Sequence, residues 1–162
     1  MDIQLINEAV FNLTNQERIK HRLPAFLPDL SLAKAATLHS DNMVKDNFYS
    51  HTDWKNRGLR TPQDRIIQSG GKFSFLGENI AKGPCFDFVG GVTFPQLFGI
   101  QFGLGSATKA LTPMEFAIKM VEGWMKSSGH RANILHKEFR FLGVGTSLNN
   151  HSYGLCTQNF GG

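Results

Sequence analysis

Three short polar segments carry the side chains whose types could do chemistry together. They are Tyr49–Thr52, Gly77–Ile80 and Ser127–Leu135, and they contribute His51, Glu78 and His130. Each segment lies next to the predicted end of a helix or strand, where binding residues commonly project. Two neutral imidazoles and one carboxylate suit a divalent ion such as zinc with one position left open. Because the sequence has no HExxH motif, these residues are candidates on chemistry and position alone.

Apolar periodicity indicates the first two helices that must position these segments. The stripe of the first helix ends before Pro24, and the second begins at an N-cap, Asp29 or Ser31. The two stripes are Ile6, Ala9, Val10 and Leu13, followed by Leu32, Ala35, Ala36, His39 and Met43. A histidine on an apolar face is more often a hydrogen-bonded core residue than a ligand, so we predict that His39 lies in the core.

Two further helices begin with the same capping device. Thr61–Asp64 and Thr112–Glu115 each place a hydroxyl at the N-cap, proline next and an acid two residues later. The third helix should end at Gly70-Gly71, and the fourth near Ser128-Gly129. The fourth helix is expected to bury Met114, Ala117, Ile118, Val121 and either Trp124 or Met125.

The remaining pattern predicts a small sheet. Phe75–Ala81 is typical of a short strand, and Phe141–Leu148 with Tyr153–Phe160 predicts a β-hairpin with a four-residue turn. Gly143 and Gly145 within that hairpin indicate a close backbone approach. Helices and strands do not alternate as in a doubly wound fold, so we predict an α+β protein with an antiparallel sheet.

Composition and charge exclude several classes of protein. The 162 residues form one predicted domain, with 41% hydrophobic residues and a net charge of +4. The densest basic stretch, Arg18–Arg22, is interpreted as a solvated helix end rather than a nucleic-acid site. No stretch has the roughly 18 apolar residues needed to span a bilayer. The first ten residues do not resemble a signal peptide, so we expect either an intracellular protein or a chain whose leader has been removed.

Phenylalanine is unusually abundant and unevenly placed. Five of the 14 phenylalanines fall in a Phe/Gly-rich stretch at about 84–111. A loop of that length in a compact domain usually has a function of its own, so this insertion is a candidate surface for contact with a protein or a membrane. Cys85 and Cys156 could form one disulfide or remain free.

In combination and in order, the motifs of this chain resemble those of the CAP superfamily, the cysteine-rich secretory, antigen 5 and pathogenesis-related 1 group. They are most similar to its bacterial SCP-like extracellular members. The matching segments run through nearly the whole chain: Asn15–Arg18, Leu32–Ala36 with His39 and Met43, Phe48–His51, Asp64–Ile66, Gly77–Ile80, Trp124–Leu135, Gly143–Gly145 and Tyr153–Gly161.

The resemblance implies a three-layer α-β-α sandwich with a small antiparallel sheet and an open cleft. It also implies an extracellular or cell-envelope location. Family members gather two histidines and two acids in the cleft, and in several of them the histidines hold a divalent cation. His51, His130 and Glu78 match three of these four positions. Ser127 replaces the second acid, which weakens the case for zinc because that acid would neutralise the ion and orient a histidine.

Three functions remain open for this cleft. We expect a non-enzymatic binding module for a small apolar, glycan or peptide ligand, contacted by His51, Glu78, Asn79, Ser127, His130 and Arg131. A divalent ion held by His51 and His130 is a further expectation. The first alternative is a hydrolase, either metal-assisted or using Ser127, His130 and Glu78 as nucleophile, base and orienting acid. The second is a structural cluster in which these residues only hydrogen-bond one another. For Arg131 and Asn133, bracing of the Gly129-His130 turn is the favoured role.

Overall fold

The computed structural model describes residues 1–88, 92–93, 103–104, 108–150 and 153–162. The helices are α1 Ile3–Lys20, α2 Leu30–Lys45, α3 Pro62–Gln68, α4 Pro113–Lys126 and α5 Ser128–Ile134, and a 3₁₀ turn covers Arg57–Leu59. The strands are β1 Leu27–Pro28, β2 Leu76–Pro84, β3 Phe86–Phe88, β4 Val92–Thr93, β5 Gly103–Leu104, β6 Thr108–Ala110, β7 Phe141–Asn149 and β8 Tyr153–Gly161. Most of the Phe/Gly-rich insertion at 84–111 lies outside the described residues.

The main sheet has four strands in the order β1-β7-β8-β2. Its long strands are antiparallel, as predicted. The predicted hairpin of β7 and β8 is present, but Asn149 still pairs with Tyr153, so three residues rather than four separate the strands. The two-residue strand β1 is an addition that pairs with β7 in parallel, so the sheet is mixed. Sequence periodicity cannot reveal a strand of two residues.

Helices cover both faces of this sheet, which makes the α-β-α sandwich. On one face, α2 lies so close to β7 that a Cβ at Gly143 or Gly145 would overlap the backbone of Ala33 or Thr37. The two glycines therefore permit the close approach that the sequence indicated. On the other face, α1 and α4 bury the largest apolar cluster against Leu142, Val144 and Phe160, among other residues.

The predicted caps are present where α2, α3 and α4 begin. The Asp29 side chain accepts from the Leu32 N–H at 2.9 Å, and Thr61 and Thr112 each form a complete capping box. In both helices that begin with a capping box, the first helical residue is proline. These local bonds set the start of α3, whose arginine and polar residues enter the site described below.

The set of residues predicted to be buried on α4 was partly wrong. Met114 is 50% exposed and Ile118 is 37% exposed, whereas Phe116 and Met120 are buried. The physical reason lies in the strands: Phe116 and Met120 fill the space beside Gly154 and Gly83, where any Cβ would meet their side chains. Both stripes satisfy helical periodicity, and only the position of the strand glycines decides between them.

Two further sequence interpretations are corrected. Arg18 is only 1% exposed and is not part of a solvated helix end. Its guanidinium donates to the carbonyls of Pro24, Ile134, His136 and Phe139, so it joins the loop after α1 to the segment before β7. Gly129 does not end a helix either, because it lies inside α5.

The cysteines and the single-domain prediction have different outcomes. Both Cys85 and Cys156 are free thiols. Burial raises the pKa of the Cys156 thiol to about 12, so it behaves as a small apolar core residue. That residues 1–162 form a single domain with the insertion at 84–111 stays a prediction.

Candidate functional site

His51 and Glu78 form the centre of the candidate site. Nδ1 of His51 lies 2.8 Å from Oε1 of Glu78, and the His51 side chain is 50% exposed whereas that of Glu78 is 2% exposed. A carboxylate accepts hydrogen bonds, so this geometry places the ring proton of neutral His51 on Nδ1. Nε2 is then the ring nitrogen that remains available as an acceptor or as a ligand.

The Glu78 carboxylate is held from its other side by a buried arginine. Nη2 of Arg65 donates to Oε2 of Glu78 at 2.7 Å, and the Arg65 side chain is fully buried. Nη2 also donates to the His51 carbonyl at 3.1 Å. With its amide oriented so that both ends are satisfied, Asn159 donates to Oε2 as well, at 3.1 Å. Both oxygens of Glu78 are therefore committed, and its charge is compensated inside the protein.

His39 is the buried neighbour of this pair, as predicted for a core histidine. Its side chain is fully buried, and Nε2 lies 3.0 Å from the Ser50 carbonyl and 3.9 Å from Oε1 of Glu78. The bond to Ser50 places a proton on Nε2, and the buried Nδ1 has no partner among the described residues. Burial outweighs the attraction of Glu78 and lowers the pKa of His39 to about 4, so the ring is neutral at pH 7.

The outer edge of β2 runs along the floor of the cleft. In the part of the chain that the structure describes, β2 pairs with β8 alone, and the carbonyls of Glu78 and Ile80 point away from the sheet. Asn133 donates to the Glu78 carbonyl, and Trp124 and Tyr49 both donate to the Ile80 carbonyl. These side chains satisfy the exposed edge of the strand and tie the walls of the cleft to its floor.

His130 and Ser127 lie on the α4 side of this edge. Both residues line a groove of about 250 Å³ that also contacts Ile80, Lys82 and Trp124. Burial, and then the nearby His51, lower the pKa of His130, which places the two imidazoles within electrostatic reach of each other. Ser127 is the N-cap of α5, but its hydroxyl makes no capping bond.

The other sequence candidates have different surroundings. Asn79 is fully buried and donates to the His130 carbonyl at 3.1 Å, so it supports the site from beneath. Arg131 is exposed on α5. Asn133 donates to Oδ1 of Asn79 at 2.9 Å, so it contacts the residue that holds the His130 carbonyl. Among the described residues no hydrogen bond joins Ser127 to His130, and Glu78 bonds His51 rather than His130.

Two neighbouring grooves lie along α3. The first, of about 480 Å³, is lined by His51, Glu78 and the start of α3. The second, of about 350 Å³, has apolar walls formed by Ile66, Ile67 and Phe73, and it shares Gln63 and Leu76 with the first. The two grooves together form a depression in which His51 lines one groove and apolar side chains line the other.

The ligand set for a metal ion is incomplete. Within the described ranges, no group of three or more His, Cys, Asp or Glu side chains converges as a metal site. Zinc sites usually have at least three protein ligands, and here Glu78 is already bonded to His51 and Arg65. The Glu78–His51 bond is nevertheless the kind that orients a ligating imidazole. These residues do not fit a tightly held resident ion.

Arg65 is the site residue that sequence reasoning missed. It lies on α3, within the segment Asp64–Ile66 that was matched to the family without a role for Arg65, and nothing in its spacing indicates that it faces Glu78. One signal was available: a buried carboxylate needs a cation or several donors, and Arg65 is the only basic residue on α3.

Comparison with known proteins identifies the family of this chain. The model of the cysteine-rich secretory protein (CAP) family matches residues 11–160, and the chain belongs to that family. Its α-β-α architecture agrees with the resemblance noted in the sequence.

Three relatives illustrate the range of the family. The chain is 30% identical over 159 residues to the uncharacterized membrane protein YlbC and 30% identical over 158 residues to the uncharacterized protein YkwD, both of Bacillus subtilis (strain 168). It covers 35% and 48% of those two proteins, so it spans less than half of each. A crystal structure of an extracellular protein containing an SCP domain from Bacillus anthracis superposes with a TM-score of 0.69 at 28% identity, over 98% of this chain and 41% of that one. Among the described residues, no helix is long and apolar enough to cross a membrane.

Proposed function

We propose that this chain is an extracellular, non-enzymatic binding module whose cleft receives a small ligand with an apolar body and a hydrogen-bond donor. The observation that carries the proposal is the fixed tautomer of His51. Because Nδ1 donates to Glu78, the half-exposed ring keeps Nε2 as an acceptor, and a ligand hydroxyl or amide N–H is its natural partner. The similar SCP-domain protein from Bacillus anthracis, described as extracellular, supports the location.

The shape of the depression supports an apolar body for this ligand. The groove beyond His51 is lined by Ile66, Ile67 and Phe73, and Ile67 is 59% exposed. Exposed apolar side chains beside a few polar groups are typical of ligand grooves. Burying one more methylene of a ligand there contributes about 0.8 kcal/mol, so chain length should strengthen binding.

The hydrolase alternative has less support in the geometry. A serine mechanism needs a base hydrogen-bonded to the nucleophile and an acid that orients the base. Glu78 is bonded to His51 and neutralised by Arg65, and among the described residues Ser127 has no bond to His130. We therefore favour binding over catalysis for this cleft.

Weak zinc binding is a secondary proposal for the same cleft. His51 is oriented by a carboxylate, and together with His130, whose pKa is lowered by burial and then by His51, it would supply two imidazole ligands. With two ligands rather than three, we expect an affinity far below that of structural zinc sites. Zinc titration followed by histidine NMR tests this, and a His130→Ala variant with unchanged zinc binding would refute the shared site.

A matched pair of probes tests the main proposal. Dodecanol and dodecyl methyl ether share an apolar chain, but only dodecanol donates a hydrogen bond. We expect dodecanol to bind more tightly by about threefold to tenfold, the range of a single net hydrogen bond, and His51→Ala to abolish this difference. His136→Ala, at an exposed histidine outside the cleft, is the control. If neither probe binds, or both bind equally to the unmodified protein, the proposed function fails.

A further inference from the structure

Another groove, separate from the three described above, lies at the opposite edge of the main sheet from the His51 cleft. It has a volume of about 450 Å³ and is lined by residues of both helical layers, with Asn7, Glu8 and Phe11 from α1 and Ala33 from α2. Its floor includes Leu142, Gly143 and Val144 of β7. Because α1 and α2 lie on opposite faces of the sheet, a groove lined by both opens at the sheet edge.

This edge of β7 is only partly covered by β1. The N–H groups of Leu27 and Asp29 donate to the carbonyls of Arg140 and Leu142, and the pairing ends there because Asp29 caps α2. Backbone groups of a strand alternate in direction, so the N–H and C=O of Val144 point to the same side as those of Leu142. Among the described residues, neither group of Val144 has a hydrogen-bond partner on that side.

The groove is lined by hydrogen-bond acceptors and by no basic side chain. The buried Oδ1 of Asn7 has no partner among the described residues. Glu8 and Asp29 line the groove, and Asp29 uses Oδ1 for its capping bonds. No lysine or arginine is among the lining residues. A donor with positive charge is the chemical complement of this set.

We propose that this groove binds a short extended peptide that carries a lysine or arginine and pairs with the free edge of β7 next to β1. Strand addition of this kind draws affinity from main-chain hydrogen bonds and specificity from alternate side chains. Three residues at about 3.3 Å each span about 10 Å, a length suited to the groove. The aliphatic stem of the basic residue lies on Phe11, and its charged end reaches Asn7 and Glu8.

The probe is a blocked pentapeptide, Val-Thr-Lys-Thr-Val, titrated into the ¹⁵N-labelled protein. We expect shifts at the Val144 amide and at the Asn7 side-chain amide, with the amides of Gly77 and His51 unchanged. The same peptide with glutamate in place of lysine should not bind. N-methylation at the first, third and fifth residues, or at the second and fourth, tests the strand pairing, because only one of these two sets of N–H groups faces β7. One methylated peptide should lose binding and the other should keep it.

A charge reversal on the protein completes the test. Glu8→Lys should weaken binding of the lysine peptide by at least fivefold, and Glu122→Lys, at an exposed glutamate on α4, should change it by less than twofold. Equal binding of both N-methylated peptides, shifts confined to Gly77 and His51, or no binding at all would overturn the proposal. So would concentration-dependent dimerisation through Val144, because a second copy of the chain would then be the occupant.

Discussion

Replacing His39 by glutamine tests the electrostatics beneath the candidate site. The neutral ring donates from Nε2 to the Ser50 carbonyl, and a second proton would fall on the buried Nδ1, which has no acceptor among the described residues. Burial lowers the pKa of His39 to about 4 from the ordinary 6.5. Glutamine can keep the bond to Ser50 but cannot titrate.

The expected magnitude follows from that pKa. Between pH 6.5 and about 4 the unfolded chain binds the His39 proton and the folded protein does not, so the free energy of unfolding falls as the pH falls through this range. At 1.36 kcal/mol per pH unit, the full loss from His39 is about 3 kcal/mol. Above pH 6.5 this contribution is fully present, and below about pH 4 it is gone.

Urea unfolding at pH 7 and at pH 4 measures the effect. His39→Gln should cost stability at pH 7, but its stability relative to the unmodified protein should rise by about 3 kcal/mol at pH 4. His136→Gln, at an exposed histidine, serves as the control, and its stability relative to the unmodified protein should not rise in this way at pH 4. If His39→Gln and the unmodified protein lose stability in parallel, the assignment of a buried, neutral His39 is refuted.

Three further substitutions have expected costs. Arg65→Met leaves the buried Glu78 carboxylate uncompensated and should cost about 3–5 kcal/mol in urea unfolding. Adding Glu78→Gln to this variant should recover part of that cost. If the stability costs of the two single substitutions simply add in the double variant, the ion pair is contradicted. Gly143→Ala places a Cβ against the backbone of Ala33 and should lower stability by about 1–3 kcal/mol or more, so an unchanged melting temperature would argue against the α2–β7 contact. Thr112→Ala removes a capping box and should cost about 1 kcal/mol, and Thr112→Ser should restore most of it.

Much of the fold was predictable because its signals are local. The caps at Asp29, Thr61 and Thr112 mark helix starts, and alternating residues with a polar turn mark the β7–β8 hairpin. Gly143 also indicated a close contact, although not its partner. Each of these signals depends on residues within a few positions of one another, so one sequence is enough to find them.

The remainder depends on contacts between distant segments. Arg18 looks like one member of a basic stretch, yet its carbonyl partners include Ile134 and Phe139, more than a hundred residues away. Arg65 likewise acquires its role only when α3 brings it to Glu78. The candidate site could be located at His51, Glu78 and His130, but the bonds that fix its charges and tautomers could not be predicted from spacing.

The tautomer and environment of His51 test the central claim most directly. A long-range ¹H–¹⁵N spectrum of the imidazole rings, recorded above the titration range of histidine and with dodecanol as ligand, reports on both ring nitrogens. The geometry predicts a neutral His51 protonated on Nδ1, with an Nε2 signal that shifts when the ligand binds. A ring protonated on Nε2, or an Nε2 signal unaffected by a ligand that does bind, would contradict the proposal that His51 is the acceptor in this cleft.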